Sequence, residues 1–211
     1  LLDEPFAAVD RAVRRRLQNE IDSIRRSLGV PLVLVTHDFD DVVRLATHVL
    51  LLERGRSVAC GPLGEVMSRP DLTWLREAVG LGAVFEATAT RAAANGLVEL
   101  AFDGGTLLVA EAVTPGTAVR VRVPARDVIL ANRAPEDVSV HNVLAGTVTA
   151  IHGEGGGRHA VVQVAVGAIR LLAEVTQDAV IGLGIAPGQS IHALVKSASL
   201  DVAGPRADLN T

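Results

Sequence analysis

LLDEPFAAVD, residues 1–10, and PLVLVTHD, residues 31–38, decide how this chain is read. Each is an apolar run that stops at polar groups: Leu1-Leu2 at Asp3-Glu4, and Leu32–Val35 at Thr36-His37-Asp38. An apolar run without alternation marks a strand buried on both faces, as in parallel sheets. Between the two runs, Val13, Leu17, Ile21, Ile24 and Leu28 recur at helical spacing, so Asp10–Leu28 is predicted to be an amphipathic helix. Asp10 is its N-cap and Gly29 its stop, and arginines 14 to 16 and 25 to 26 mostly fall on its wet face. Working outward, Asp38–Ala46 reads as a helix, HVLLLERGRSVACG (48–61) as strand, turn at Gly55 and strand, and Leu63–Ser68 as a short helix. Pro70 opens another helix with Leu72, Leu75 and Val79 apolar. Residues 1–80 therefore alternate helix and buried strand, the pattern of a parallel α/β sheet.

Ligands of such sheets bind beyond the carboxyl ends of the strands. Asp3 at such an end can hold Mg²⁺ through water, because this hard ion keeps part of its hydration. Glu4 can polarise an attacking water. His37, at the end of the next strand, can touch a phosphate, and the three together suit phosphoryl transfer to water. Taken singly, Asp3-Glu4-Pro5 also reads as a helix-start cap and His37 as a surface histidine. His48 reads as structural, and Cys60, the one cysteine, as a small packing residue.

Taken jointly, these segments resemble the ATP-binding subunits of ABC transporters. LLDEP resembles the Walker B segment, with Asp3 in the metal position and Glu4 in the catalytic-base position. AAVD (7–10) resembles the D-loop, with Asp10 as its aspartate and Ala7 where the family often has serine. Thr36-His37-Asp38, beginning 33 residues after Asp3, resembles the H-switch. The resemblance implies a partial P-loop NTPase sheet, ATP and Mg²⁺ as ligands, pairing into a homodimer, and transmembrane permease subunits with an associated substrate-binding protein as partners. It places the protein on the cytoplasmic face of the membrane. GxxxxGK[ST] and LSGGQ are absent from the sequence. The chain is therefore expected to be the C-terminal part of a longer subunit that binds ATP poorly and does not hydrolyse it alone.

Beyond Gly80-Leu81-Gly82 the character changes to short β-rich runs broken by Asn95-Gly96, Asp103-Gly104-Gly105, Pro115-Gly116, Gly155-Gly156-Gly157 and Pro187-Gly188. Pro187-Gly188 lies 72 residues beyond Pro115-Gly116, and LLVAE (107–111) is echoed by LLAE (171–174). Residues 83–203 thus read as an all-β domain, with two half-units, 83–134 and 139–203, as one arrangement and ordinary turn chemistry as the other. Glu154–Arg158 reads as a hairpin connection with no ligand. VRVRVPARDVILA (119–131), SVHNVLAGTV (139–148), RLLAEVT (170–176) and LGIAPGQSIHALVKSASL (183–200) resemble the OB-like regulatory (TOBE/Mop) domains of molybdate importers.

Molybdate is a dianion with acceptor oxygens only, so it needs N–H groups, hydroxyls and a cation. The resemblance points to Ser139, His141, Asn142, Thr176, Lys196 and Ser197. His141 stands where the subgroup often has arginine, and a mostly neutral imidazole lacks the guanidinium fork. Sulfate, tungstate or a polyamine as cargo, and a non-enzymatic oxyanion-binding module, are the alternative readings.

Bulk composition excludes other classes. A formal charge of −4 argues against a nucleic-acid partner held by bulk electrostatics, and a single cysteine excludes an internal disulfide. No stretch has the ~20 apolar residues of a membrane-spanning helix. At 49% hydrophobic over 211 residues, the chain can bury a core.

Overall fold

The computed structural model describes residues 1–69, 80–153 and 158–204. The helix expected from Pro70 and most of the Glu154–Arg158 connection lie outside the described residues.

The first part opens with β1 (Leu2–Asp3), which pairs in parallel with β2 (Leu34–Val35). Between them runs α1 (Arg11–Leu28). Its ends follow local chemistry: the Asp10 carboxylate accepts from the amides of Ala12 (3.0 Å) and Val13 (3.2 Å), and Gly29 closes the helix at φ 62°. After β2 come α2 (Phe39–Leu45), capped by Asp38, the antiparallel ribbon β3 (His48–Glu53) and β4 (Arg56–Pro62), and the short α3 (Leu63–Met67). Val43, Ala59, Leu63, Val66 and Met67 form a small core that reaches Val84 of the second part.

Three expectations for this part are corrected. The Leu32–Val35 run is not buried on both faces: only Leu34 and Val35 are strand, and Val33 and Val35 are exposed. The reason is that β1 and β2 make a two-stranded sheet with no further neighbour among the described residues. The apolar stripe of α1 also faces outward, with Val13, Leu17, Ile24 and Leu28 exposed, while Gln18 is buried and Arg14 turns inward. Cys60 is exposed rather than packed, opposite the exposed Leu50.

The second part contains two five-stranded sheets around one core, which includes Leu100, Val121, Val162, Leu171 and Val195. The first holds β5 (Gly82–Ala92), β6 (Val98–Phe102), β7 (Gly105–Val109) and β8 (Ala118–Pro124). The second holds β10 (Asn142–Gly153), β11 (His159–Val166), β12 (Ile169–Thr176) and β13 (Ser190–Val195). Helix α4 (Gln177–Gly182) follows β12. The sheets exchange a strand: β9 (Val128–Ala131) pairs with β13, and β14 (Asp201–Ala203) pairs with β8.

The halves share their irregularities. β5 bulges between Ala89 and Arg91, β10 between Val148 and Ala150. At the first bulge the Thr90 hydroxyl lies 3.1 Å from the Glu99 carbonyl oxygen and 3.0 Å from its Oε1. At the second, Thr149 lies 3.2 Å from the Gln163 carbonyl and 3.1 Å from its Oε1. The Gly116 amide donates to the Ala89 carbonyl, and the Gly188 amide to that of Val148. The hairpin turns of the two halves meet where Gly167, at φ 57°, lies so close to Asp103 that a Cβ would stand 2.5 Å from its carbonyl oxygen.

Candidate functional site

The carboxyl ends of β1 and β2 lie side by side, with the Glu4 amide donating to the Val35 carbonyl at 2.9 Å. Glu4 itself takes φ 45°, a conformation uncommon for a residue with a Cβ. This bend turns its carboxylate toward His37: Oε1 accepts from the His37 amide at 3.1 Å and lies 2.7 Å from the ring Nδ1. The imidazole is exposed. Its hydrogen bond to Glu4, reinforced by the carboxylate charge, raises its pKa above the ordinary 6.5. Asp3 is exposed at the tip of β1, and Asp10 is engaged as the cap of α1. The structure thus joins Glu4 and His37, leaves Asp3 exposed next to Glu4 in the chain, and sets Asp10 at the start of the next helix.

A buried network behind this tip went unread in the sequence. Asp41, only 1% exposed, accepts from Arg14 Nε (2.9 Å) and Nη2 (2.7 Å), from Gln18 Nε2 and from Thr36 Oγ1 (3.0 Å). Arg14 also pairs with Asp38, and its guanidinium lies 5.9 Å from the centre of the buried Phe6 ring. Its hydrogen bonds to the Asp41 and Asp38 carboxylates raise the already high pKa of Arg14. The network ties α1 to the Thr36-His37-Asp38 turn. The signal for it was the helical pairing of Arg14 with Gln18 and of Asp38 with Asp41, a polar stripe hidden by the arginine run.

The second cluster lies where β10 begins and β13 ends. Asn142 pairs with Val195 in register, so His141 and Lys196 are brought to the same end of the sheet. Ser139, His141 and Lys196 are exposed and Ser197 is buried in a 3-10 turn, Ser197–Ser199. Asn142 is 3% exposed, and its amide is spent within the fold. Leu108 donates its N–H to Oδ1 at 2.7 Å, Nδ2 donates to the Leu108 carbonyl at 3.0 Å, and Nδ2 stands 3.5 Å from Ser197 Oγ. The side chain therefore pairs with the outer edge of β7 as a strand would. Thr176 is not brought to this cluster. It pairs with His159 at the far end of the sheet, on the order of 30 Å of strand away, where its hydroxyl caps α4 by accepting from Ala179 N–H. At the corresponding end of the other half Gly82 pairs with Pro124, and Ala125 of the 3-10 turn Ala125–Asp127 packs with Leu81, Val161 and Leu172 where the second half has the hydroxyl of Ser197.

No group of three or more His, Cys, Asp or Glu side chains gathers among the described residues in a way that could cage a metal ion. Mg²⁺ does not require such a cage, since one or two carboxylates with water and substrate phosphates suffice. Exposed Asp3 fits that demand. None of the described helices is long and apolar enough to cross a membrane.

Comparison with known proteins gives three findings. The TOBE domain model matches residues 138–202. The molybdenum import ATP-binding protein ModC of Granulibacter bethesdensis is 40% identical, over 97% of this chain and 58% of its own length. That of Methylococcus capsulatus is also 40% identical, over 95% of this chain and 56% of its own length. The chain thus spans a little over half the length of these relatives. Among solved structures, the cytoplasmic molybdate-binding protein ModG, crystallised with molybdate bound, matches with a TM-score of 0.50 and 27% identity, covering 58% of this chain and 95% of its own.

Proposed function

We propose, from the premise that this chain is a homologue of the molybdenum import ATP-binding proteins and carries a TOBE domain, that it belongs to a subunit that hydrolyses ATP to drive molybdate import. The subunit works as a homodimer on the cytoplasmic face of the membrane, beneath permease subunits that receive molybdate from a binding protein. The observation that carries this reading is the Glu4–His37 contact across two parallel strand ends. Glu4 accepts a proton from the water that attacks the terminal phosphate. His37, whose pKa the Glu4 hydrogen bond and charge raise, presents a ring N–H donor to phosphate. Asp3 would hold Mg²⁺ through water, and the ion supplies positive charge to the phosphates there. Asp10 sets the start of α1 beside the site.

In the β-rich domain, Lys196, Ser197, Ser139 and His141 take the oxyanion, and Asn142 holds their two elements together. Thr176, capping α4 at the opposite end, adds its hydroxyl only to an anion bound there.

The test is ATP turnover by the full-length gene product. Glu4→Gln should reduce it by about 100-fold or more. Turnover that survives this substitution unchanged removes Glu4 from the reaction and the reading with it.

A further inference from the structure

Helix α2 follows His37 and Asp38 directly, and both of its ends are held by the β-rich domain. At its carboxyl end, Arg120 Nη1 donates to the carbonyls of Val43 (2.8 Å) and Ala46 (2.7 Å). These are terminal carbonyls that the helix itself leaves unpaired, and a cation there also meets the negative end of the helix dipole. At the amino end, the Arg122 guanidinium lies 5.3 Å from the centre of the Phe39 ring, while its Nη1 stands 3.3 Å from Asp201 of β14. Arg120 and Arg122 alternate with Val121 on β8, so they project from one face about 7 Å apart. Seven-residue α2 is about 10 Å long, so the two arginines span it. Both side chains are 15% exposed, which places these contacts largely out of water.

We propose that Arg120 and Arg122 are positioning residues for the hydrolytic switch. By gripping both ends of α2, the anion-sensing domain fixes where His37 stands against Glu4. The proposal rests on the reading of Glu4 and His37 as an ATP-facing pair. The grip is attached to the anion cluster through the chain itself: β14, which carries Asp201, leads out of the 3-10 turn at Ser197–Ser199. A simple packing contact needs no cation at a carbonyl pair, whereas this one has it at one end of the helix and an arginine stacked on an aromatic ring at the other.

The experiment is nuclear magnetic resonance on the chain with Arg120→Met, Arg122→Met, both, and the corresponding lysine variants. Arg91→Met serves as the control, because Arg91 is an exposed arginine of β5 paired with Glu99 on β6. The readouts are the backbone amide and ring nitrogen signals of His37 and the exchange of the Val42–Leu45 amides. In the double methionine variant the His37 signals should move toward those of Glu4→Gln, and amide exchange in α2 should quicken at least about tenfold. Lysine at position 120 should restore much of both, and Arg91→Met should change neither. His37 signals that stay in place in the double variant overturn the proposal. Should that variant not fold, Arg120→Met alone decides by the same readouts. ATP turnover is measured separately in the full-length product, where indifference to Glu4→Gln defeats the functional reading and the His37 spectrum still judges the grip.

Discussion

Replacing Arg14 with methionine keeps most of the side-chain volume and strands the carboxylate of Asp41. That carboxylate is 1% exposed and Arg14 is 20% exposed, so the charge left behind lies almost wholly out of water. Removing one partner of a buried pair costs about 3–5 kcal/mol. Gln18 and Thr36 still donate to Asp41, and the edge of Arg14 reaches solvent, so the low end applies, about 3 kcal/mol. Adding Asp41→Asn removes the stranded charge, and the double variant should be less destabilised than the sum of the singles by roughly 1–3 kcal/mol. The assay is urea unfolding followed by helical circular dichroism, which reports this part of the chain because α1 is its longest helix. A loss below about 1 kcal/mol for Arg14→Met, or strict additivity in the double variant, would refute the reasoning that this network holds α1 to the His37 turn.

The His37 imidazole should titrate above 6.5, and Glu4→Gln should bring it down toward that value, as read from ring proton shifts. Because the folded pKa is raised, the stabilisation from the Glu4 contact is present below the unfolded value and is lost as pH rises through the folded one. The exposed stripe of Val13, Leu17, Ile24 and Leu28 should make the chain self-associate, and Leu17→Glu with Ile24→Glu should shift sedimentation velocity profiles toward monomer. Gly167→Ala should cost about 2–4 kcal/mol in thermal or urea unfolding, since it adds a backbone clash to a left-handed conformation. Gly184→Ala, left-handed but with open space around it, should cost only about 1–2 kcal/mol.

Local chemistry was legible in the sequence, and the orientation of elements was not. Both ends of α1 follow from Asp10 and Gly29, because a cap and a left-handed stop act within one turn. The Gly55 turn of the β3–β4 ribbon follows for the same reason. Periodicity located the apolar stripe of α1 but not the neighbour it faces, and here the polar stripe of Arg14 and Gln18 faces α2. An apolar run likewise implied a strand covered on both sides, yet coverage depends on other strands, and Val33 and Val35 lie open. Glu4 and His37 could be named from their strand-end positions, but their contact required a backbone bend at Glu4 that no residue type announces. Asn142 was legible as one of the polar groups of a candidate oxyanion set. Its engagement with the edge of β7 depends on a strand 34 residues away and had no local trace.

The strand exchange between the two β-sheets was equally invisible, since it joins β9 to β13 and β14 to β8 across long separations. It ties β14, which leaves the Ser197 turn, to β8, whose Arg120 donates to the end of α2. A short series of contacts, Phe39 with Arg122 and Arg122 with Asp201, joins the helix that follows His37 to the strand that follows the Ser197 turn.

The most direct measurement is calorimetric titration of the 211-residue chain with molybdate, with sulfate and ATP as controls, repeated for Lys196→Ala and Ser197→Ala. Saturable heat with molybdate at one site per chain, none with sulfate, and its loss in both variants is the predicted result. Silence with molybdate, or equal heat with the variants, would show that these residues do not form an oxyanion site and that the β-rich domain serves another ligand.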